Sequence, residues 1–412
     1  MTQTTAPSEF TKSATAVVLL CFSLNTLARG AGETLAVFYG PLLAEVQWGR
    51  AWTSSLYSVF MLSIACSGPL IGAAFDRFGG RAIYVGGLLV YGSGFLLASR
   101  MTDLWQGWLG LGVLVGIGAA ATGMTPATGI ISRWFDRNLA FAISFAYSGL
   151  AAGTMLLAPL AGWMIETGGW RWAYQNLGLG LLGLAALVSV LPWRRIEAGI
   201  RPLPARRAFL PDRKVLSDAP FWGLFLTFFI ASSVTYSVQV QLVVYLEEAG
   251  YSRFDAIWVF GLSPLISVAG IVGAGWLSDR FGQRAVATIA YSMTITGVAA
   301  LMILKNGPDP VFLVLFLLGF GGAMGSRGPM VSSLCARLFD GQVGAVFGMI
   351  MIGLGLGGAF GAWVAGWLYE ATGGYQSTYL FAIMLCLIGI SLFWMIPELA
   401  RGQRTTAPRA VT

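Results

Sequence analysis

Apolar residues run in long unbroken blocks along this chain, separated by short polar or basic punctuation. A period of 3.6 with one charged face would mark surface helices of a soluble domain, and these blocks have no such face. A helix crossing a bilayer needs roughly 20 mostly apolar residues. Twelve blocks reach or approach that length, near 14–43, 51–74, 82–99, 104–132, 138–165 and 171–192, then 221–246, 254–277, 285–304, 310–336, 342–369 and 376–396. The pattern predicts an all-α membrane protein with 12 transmembrane helices. Glycines fall inside the blocks, as in GLGLGGAFG from Gly353 to Gly361, where small side chains let neighbouring helices approach closely.

The blocks repeat. GAAFDRFGGR, Gly72 to Arg81, returns as GWLSDRFGQR, Gly275 to Arg284, each copy closing an apolar block. Trp134-Phe135-Asp136 matches Leu338-Phe339-Asp340, and the segment from Gly162 to Glu166 matches that from Gly366 to Glu370. A near-constant offset over so much of the chain implies a duplicated unit, hence two pseudo-symmetric six-helix bundles. The predicted organisation is a tail over 1–12, a bundle over 13–193, a basic linker over 194–219, a second bundle over 220–397 and a tail over 398–412. No cleavable leader pattern precedes the first block.

Composition agrees with the pattern. Of 412 residues 56% are hydrophobic and 10% charged, too few charges to cover a soluble surface. The net charge of +7 is unevenly placed. With both termini inside, 18 of the 25 basic residues fall on the cytoplasmic side, and Arg50, Arg100, Arg171, Arg253 and Lys305 lie opposite. Retention of Lys and Arg in cytoplasmic loops sets orientation, so the charge encodes topology in a cell inner membrane. Attraction to anionic lipid is secondary, and nothing points to nucleic acid. Cys21, Cys66, Cys335 and Cys386 are widely spaced within helices and read as free buried thiols. The chain has no histidine, which removes the commonest metal ligand and the usual proton carrier near neutral pH. No metal or cofactor is expected, and proton coupling would have to use a carboxylate.

Twelve helices in two sixes, a basic central loop and G-x3-D-R-x-G-x-R after helices 2 and 8 resemble the major facilitator superfamily over almost the whole chain. Within it, Ala36 to Phe60 and Ser132 to Gly153 are similar to the bacterial monocarboxylate porter and oxalate/formate exchanger branch. The resemblance implies alternating access, with two halves rocking about a midplane site lined mainly by helices 1, 4, 7 and 10. It also implies gating charge networks at Asp76, Arg77 and Arg81 and at Asp279, Arg280 and Arg284; the alternative is that these loops only cap helices and enforce topology. The resemblance is incomplete. The arginine expected in helix 8 and the lysine expected in helix 11 are missing, so those substrate residues do not carry over.

Three ionisable residues lie well inside the blocks, where charge is costly and marks function: Arg29 and Glu33 in the first and Arg327 in the tenth. Asn25, Arg29 and Glu33 are spaced by four and share a helix face. Arg327 stands beside Ser326 in GGAMGSRGPM, a sequence that loosens its helix. Two guanidinium groups and one carboxylate leave an excess positive charge, which an anion would balance. Arginine suits a carboxylate because its planar fork donates two parallel hydrogen bonds. Glu33 is the candidate proton carrier, unless it merely neutralises Arg29 one turn away. Ser232, Tyr236 and Gln239 form a polar stripe in helix 7, and Tyr147 in helix 5 is a further candidate contact.

These readings converge on a secondary active transporter of a small organic anion, a monocarboxylate first of all, by proton symport or anion exchange, acting as a monomer among membrane lipids. The alternative is a proton-coupled exporter of drugs or anionic metabolites. An enzyme is disfavoured because no nucleophile and base or metal-ligand set is grouped.

Overall fold

A computed structural model describes the backbone of residues 7–135, 139–197, 215–304, 307–339 and 343–401, and the side chains of these residues except 7–13, 28–29, 139–140, 275, 279, 343–345 and 400–401. Among the described residues the only regular elements are helices. Twelve long segments follow one another. Helix α1 is Pro7–Glu33 continued as Leu35–Val46. Arg50–Ala98 is two helices, α2 (50–78) and α3 (80–98), meeting at Gly79. Helix α4 is assembled from Leu104–Gly107, a π-helical turn Trp108–Leu114, Val115–Thr122 and Met124–Ile131. Leu139–Ser189 contains α5 (139–168) and α6 (170–189), meeting at Gly169.

The second series repeats this plan. Helix α7 is Ala219–Gln239 continued as Leu242–Glu248. Arg253–Leu304 holds α8 (253–281) and α9 (283–304), meeting at Gly282. Helix α10 combines Pro310–Phe316, a π-helical turn Leu317–Gly321, Gly322–Met324 and Arg327–Leu338. Helices α11 (Val343–Thr372) and α12 (Gln376–Met395) complete it. The twelve segments meet the twelve apolar blocks.

The duplication reaches the backbone conformation. Gly79 and Gly282 have φ of 79° and 81°, and Gly169 and Gly373 have 79° and 72°. Each sits where one helix stops and the next begins, a left-handed conformation that glycine adopts without a Cβ penalty. The contact pattern is duplicated too, with α1 packed along α5 and α7 along α11. A Cβ on Gly153 would lie 2.1 Å from Thr26 O, and one on Gly357 would lie 2.1 Å from Phe229 O. Both crossings therefore depend on bare backbone.

Contacts divide the chain into two compact units, Met1–Trp48 with Ser55–Ala205, and Gly49–Ser54 with Arg206–Thr412. The boundary at 205 falls inside the predicted linker, of which 198–214 lie outside the described residues. The six residues 49–54 pack with the second unit although the helix they open runs on into the first. All four cysteines are free, but Cys66 is exposed rather than buried, which corrects the expectation for that one.

Candidate functional site

The helices that open each three-helix group, α1, α4, α7 and α10, are interrupted, and the polar candidates gather at the interruptions. In α1 the break is at Thr34. Its hydroxyl donates to Ala31 O at 2.6 Å and its own N–H reaches the same carbonyl at 3.4 Å, so a side chain takes over a helical acceptor. The first apolar block, 14–43, is not one unbroken helix. Its first part stops at Glu33, and Pro41 lies inside the continuation. The Asn25–Arg29–Glu33 stripe thus ends at the break.

Glu33 is buried, and the phenol of Tyr57 in α2 donates to its Oε2. Asn25 is buried; its amide nitrogen donates to Ala146 O at 3.2 Å and to the Met124 sulfur at 3.3 Å, while its Oδ1 has no partner. Met124 begins the last part of α4, just after the break at Gly123. The Arg29 side chain lies outside the described residues. Tyr147 is 51% exposed on α5, apart from these buried groups.

The second unit has a related arrangement. Gln239 is buried at the end of the first part of α7, and its amide nitrogen donates to the Met324 sulfur at 3.3 Å. Met324 immediately precedes the Gly325-Ser326 interruption of α10. An amide from the first helix of the unit meets a thioether at the break of the fourth in both units. Tyr236 is half-buried on α7. Ser326 is buried and donates to Ala323 O at 2.7 Å, closing its own turn.

Arg327 is 3% exposed. One terminal nitrogen donates to Thr294 Oγ1 at 2.6 Å and to Ala290 O at 3.1 Å, both on α9, and the other reaches Ala323 O at 3.4 Å. The guanidinium lies 4.2 Å from the centre of the Tyr291 ring. Its Nε has no partner, and no carboxylate pairs with it among the described residues. A cation so buried without a counter-charge is expensive and favours an incoming anion.

The Asp-Arg loops are placed as follows. Asp76, Arg77 and Arg81 are exposed, with Arg77 5.2 Å from the Phe78 ring. Arg280 is exposed near Trp276 and Phe281, at 5.5 and 5.8 Å. Arg284 donates to Phe393 O at 3.2 Å and lies over Trp394 at 4.7 Å. The Asp279 side chain lies outside the described residues. Glu197, just past the short helix Trp193–Ile196, is a residue that sequence reasoning left among the linker charges. Its Oε1 accepts from Gly80 N at 2.6 Å and Arg81 N at 3.1 Å, capping the start of α3, while its own carbonyl accepts from Arg133 at 3.2 Å.

A second missed cluster surrounds Arg50 in the second unit. Its guanidinium sits 3.7 Å from the Tyr369 ring, donates to Tyr375 Oη and pairs with Glu248 Oε1 at 2.5 Å. Glu370 Oε1 accepts from Ala51 N at 3.0 Å. In the first unit the matching acid, Glu45, accepts from Arg171 and, at 2.5 Å, from Trp170 Nε1. By the repeat, Tyr375 stands where the first unit has Arg171, and Arg50 supplies the charge that tyrosine lacks. Beyond the apolar span Ala219–Gln239, burial pushes the Glu247 carboxyl above its ordinary range, and Arg253, 3.7 Å away, draws it part of the way back.

A family model described as Major Facilitator Superfamily matches residues 18–339. Among curated proteins, monocarboxylate transporter 13 of Bos taurus is 26% identical, covering 93% of this chain and 89% of the relative. Monocarboxylate transporter 11 of Homo sapiens is 26% identical, covering 93% and 82%. The fujikurins efflux protein of Gibberella fujikuroi is 26% identical, covering 83% and 72%. Among solved structures, a bacterial homolog of the human lysosomal transporter Spinster superposes with a TM-score of 0.69 at 16% identity, covering 98% of this chain and all of that one. The nucleoside transporter NupG gives 0.71 at 14%, covering 92% and 99%. At such identities the structures speak for the fold alone.

Proposed function

The chain belongs to the Major Facilitator Superfamily, a family of multi-pass membrane transporters and not of enzymes, and from that premise we propose that it moves a small organic anion, a monocarboxylate first of all, by alternating access. The observation that carries the reading is Arg327: a buried guanidinium with an unpartnered Nε and no acidic neighbour among the described residues. A substrate carboxylate supplies the charge and the acceptors this group lacks. Arg29, one turn before Glu33 in sequence, is the second candidate cation. Asn25, Tyr236, Gln239, Ser326 and Tyr147 are candidate contacts to the ligand body.

Glu33 is the proposed coupling group. It is buried at the α1 break and held by the Tyr57 phenol, and protonating it would leave the arginines uncompensated, so that proton entry favours anion entry. This is proton symport; with Glu33 permanently charged, the same cations support anion exchange. The relatives named monocarboxylate transporters support the substrate class. The gating role of Asp76, Arg77, Arg81, Asp279, Arg280 and Arg284, and an inner-membrane monomer with cytoplasmic termini and bound lipid, complete the proposal; the basic loops support this orientation.

The test is uptake of labelled monocarboxylates into proteoliposomes. Arg327→Gln should abolish saturable uptake while the purified protein stays monodisperse, with Arg327→Lys retaining part of it. Wild-type uptake by Arg327→Gln removes the assignment. A second reading, export of anionic products, is favoured by the relative named an efflux protein. Opposite imposed gradients in oriented vesicles separate the two.

A further inference from the structure

Gln241 stands at the interruption of α7, between Gln239, where the first part ends, and Leu242, where the second begins. Its side chain is 2% exposed, and neither Nε2 nor Oε1 has a hydrogen-bond partner. A buried amide with both ends empty forfeits the hydrogen bonds it made to water, which an apolar residue of the same shape would not. Its neighbourhood on α7 is poor in competing partners. Gln239 spends its amide nitrogen on a thioether, a weak acceptor, and the hydroxyl of Ser232, two turns earlier, is also without a partner. The second part of α7 packs on the stretch that holds α8 and α9, where the Tyr245 hydroxyl donates to Leu301 O of α9.

We propose that Gln241 is a specificity-determining residue that reads a carboxamide-like edge on the transported anion, an N–H donor beside a C=O acceptor. The reading rests on the anion-transport proposal above and adds the chemistry of the substrate's neutral end. A primary amide or lactam pairs with a glutamine side chain through two antiparallel hydrogen bonds, its N–H donating to Oε1 and its C=O accepting from Nε2. A hydrocarbon tail of the same shape leaves both ends of Gln241 empty. Such unpaired buried groups are the most effective means by which a site rejects an analogue. The preferred substrate is therefore an amide-bearing carboxylate, in preference to an alkyl carboxylate of equal length.

Three anions of nearly one shape test this: succinamate, levulinate and 4-methylpentanoate, whose far ends carry both a donor and an acceptor, an acceptor alone, and neither. In competition for uptake by wild-type proteoliposomes, succinamate should bind about tenfold more tightly than 4-methylpentanoate, with levulinate between. Gln241→Met, which keeps the volume and removes both polar ends, should abolish that order, weakening succinamate about tenfold and leaving 4-methylpentanoate unchanged. The ligand-free melting temperature should hold or rise, since two unsatisfied groups are gone. Equal inhibition by all three in wild type, or an equal loss of all three together with a lower melting temperature, overturns the role of Gln241 and leaves anion transport standing. If no carboxylate competes or is taken up, anion transport fails, and neutral succinamide then decides the residue. Thermal stabilisation of wild type but not of Gln241→Met upholds the amide site, and equal behaviour of the two proteins rejects it.

Discussion

The amide nitrogen of Asn25 rests on the sulfur of Met124 at 3.3 Å, and that of Gln239 rests on the sulfur of Met324 at the same distance. A thioether is a weak acceptor, so Gln239 is held by a partner that costs little to give up, whereas Asn25 also donates to Ala146 O at 3.2 Å. Met324→Leu removes the sulfur at nearly constant volume and should cost under about 1.5 kcal/mol of stability. It should also lower KM severalfold, because the ligand no longer displaces a resting partner. Thermal melts and uptake kinetics on the same preparations check both halves, and an unchanged KM with an unchanged melt would take Gln239 out of the site.

The bond from Tyr57 to Glu33 predicts a separation between two variants. Glu33→Gln should leave exchange of an internal anion for an external one intact while making net uptake insensitive to an imposed pH gradient. Tyr57→Phe keeps the carboxylate and removes one hydrogen bond to a charged acceptor, a loss of about 1.5–3 kcal/mol. That variant should stay gradient-sensitive at a reduced rate. Identical behaviour of the two would mean that Glu33 acts only as a structural acceptor for the phenol.

At Arg327, the Thr294 hydroxyl oxygen accepts from the guanidinium at 2.6 Å. Thr294→Val keeps the shape and deletes the acceptor, at a cost of about 1.5–3 kcal/mol for a hydrogen bond to a charged donor. The freed guanidinium should then bind carboxylates more tightly, so the variant melts lower without ligand and gains more from saturating ligand than wild type does. Differential scanning with and without a monocarboxylate reads both shifts.

What the sequence foretold and what it hid follow from the range of the interactions. The twelve segments were legible because bilayer thickness imposes a length, and the duplication because Gly79 and Gly282 need a left-handed backbone that glycine accepts readily. The buried charges were legible because ionisable residues in apolar blocks are rare. The breaks were not. Thr34 ends a helix by capturing Ala31 O, and threonines elsewhere in these helices make comparable bonds without ending one, as Thr227, inside Ala219–Gln239, does with Gly223 O. Partners were hidden too: Asn25 and Met124 are 99 residues apart, and no local period encodes their meeting. Glu197 looked like one more linker charge because the donors its carboxylate accepts from, the N–H groups of Gly80 and Arg81, are backbone.

Glu197 yields a prediction about that loop. Its carboxylate satisfies two N–H groups at the start of α3, the office of an N-terminal cap, worth about 0.5–2 kcal/mol. Glu197→Ala should destabilise the protein by that amount, read as a lower melting temperature, with Glu197→Gln recovering most of it, since an amide oxygen still accepts. Faster proteolysis at the loop in Glu197→Ala alone would locate the effect there, and indifference of both melt and proteolysis would show that water caps those groups equally well.

The glycine crossings give the sharpest structural test, because the duplication supplies its own controls. A methyl at Gly153 meets Thr26 O and one at Gly357 meets Phe229 O, each at 2.1 Å, and backbone cannot swing aside as a flexible side chain does. Gly153→Ala and Gly357→Ala should therefore each push two helices apart and cost about 1–3 kcal/mol or more, as overpacking does. Gly180→Ala, on α6 with nothing within 4 Å of the added carbon, should instead stabilise its helix by about 0.5–1 kcal/mol through the lost freedom of glycine. The two crossing variants should also slow uptake, since each crossing packs an interrupted helix, α1 or α7, against an uninterrupted neighbour. Parallel melts and uptake rates for the three proteins would decide it. Destabilisation at Gly180 equal to that at Gly153 would mean that loss of glycine, and not the 2.1 Å contact, governs the result.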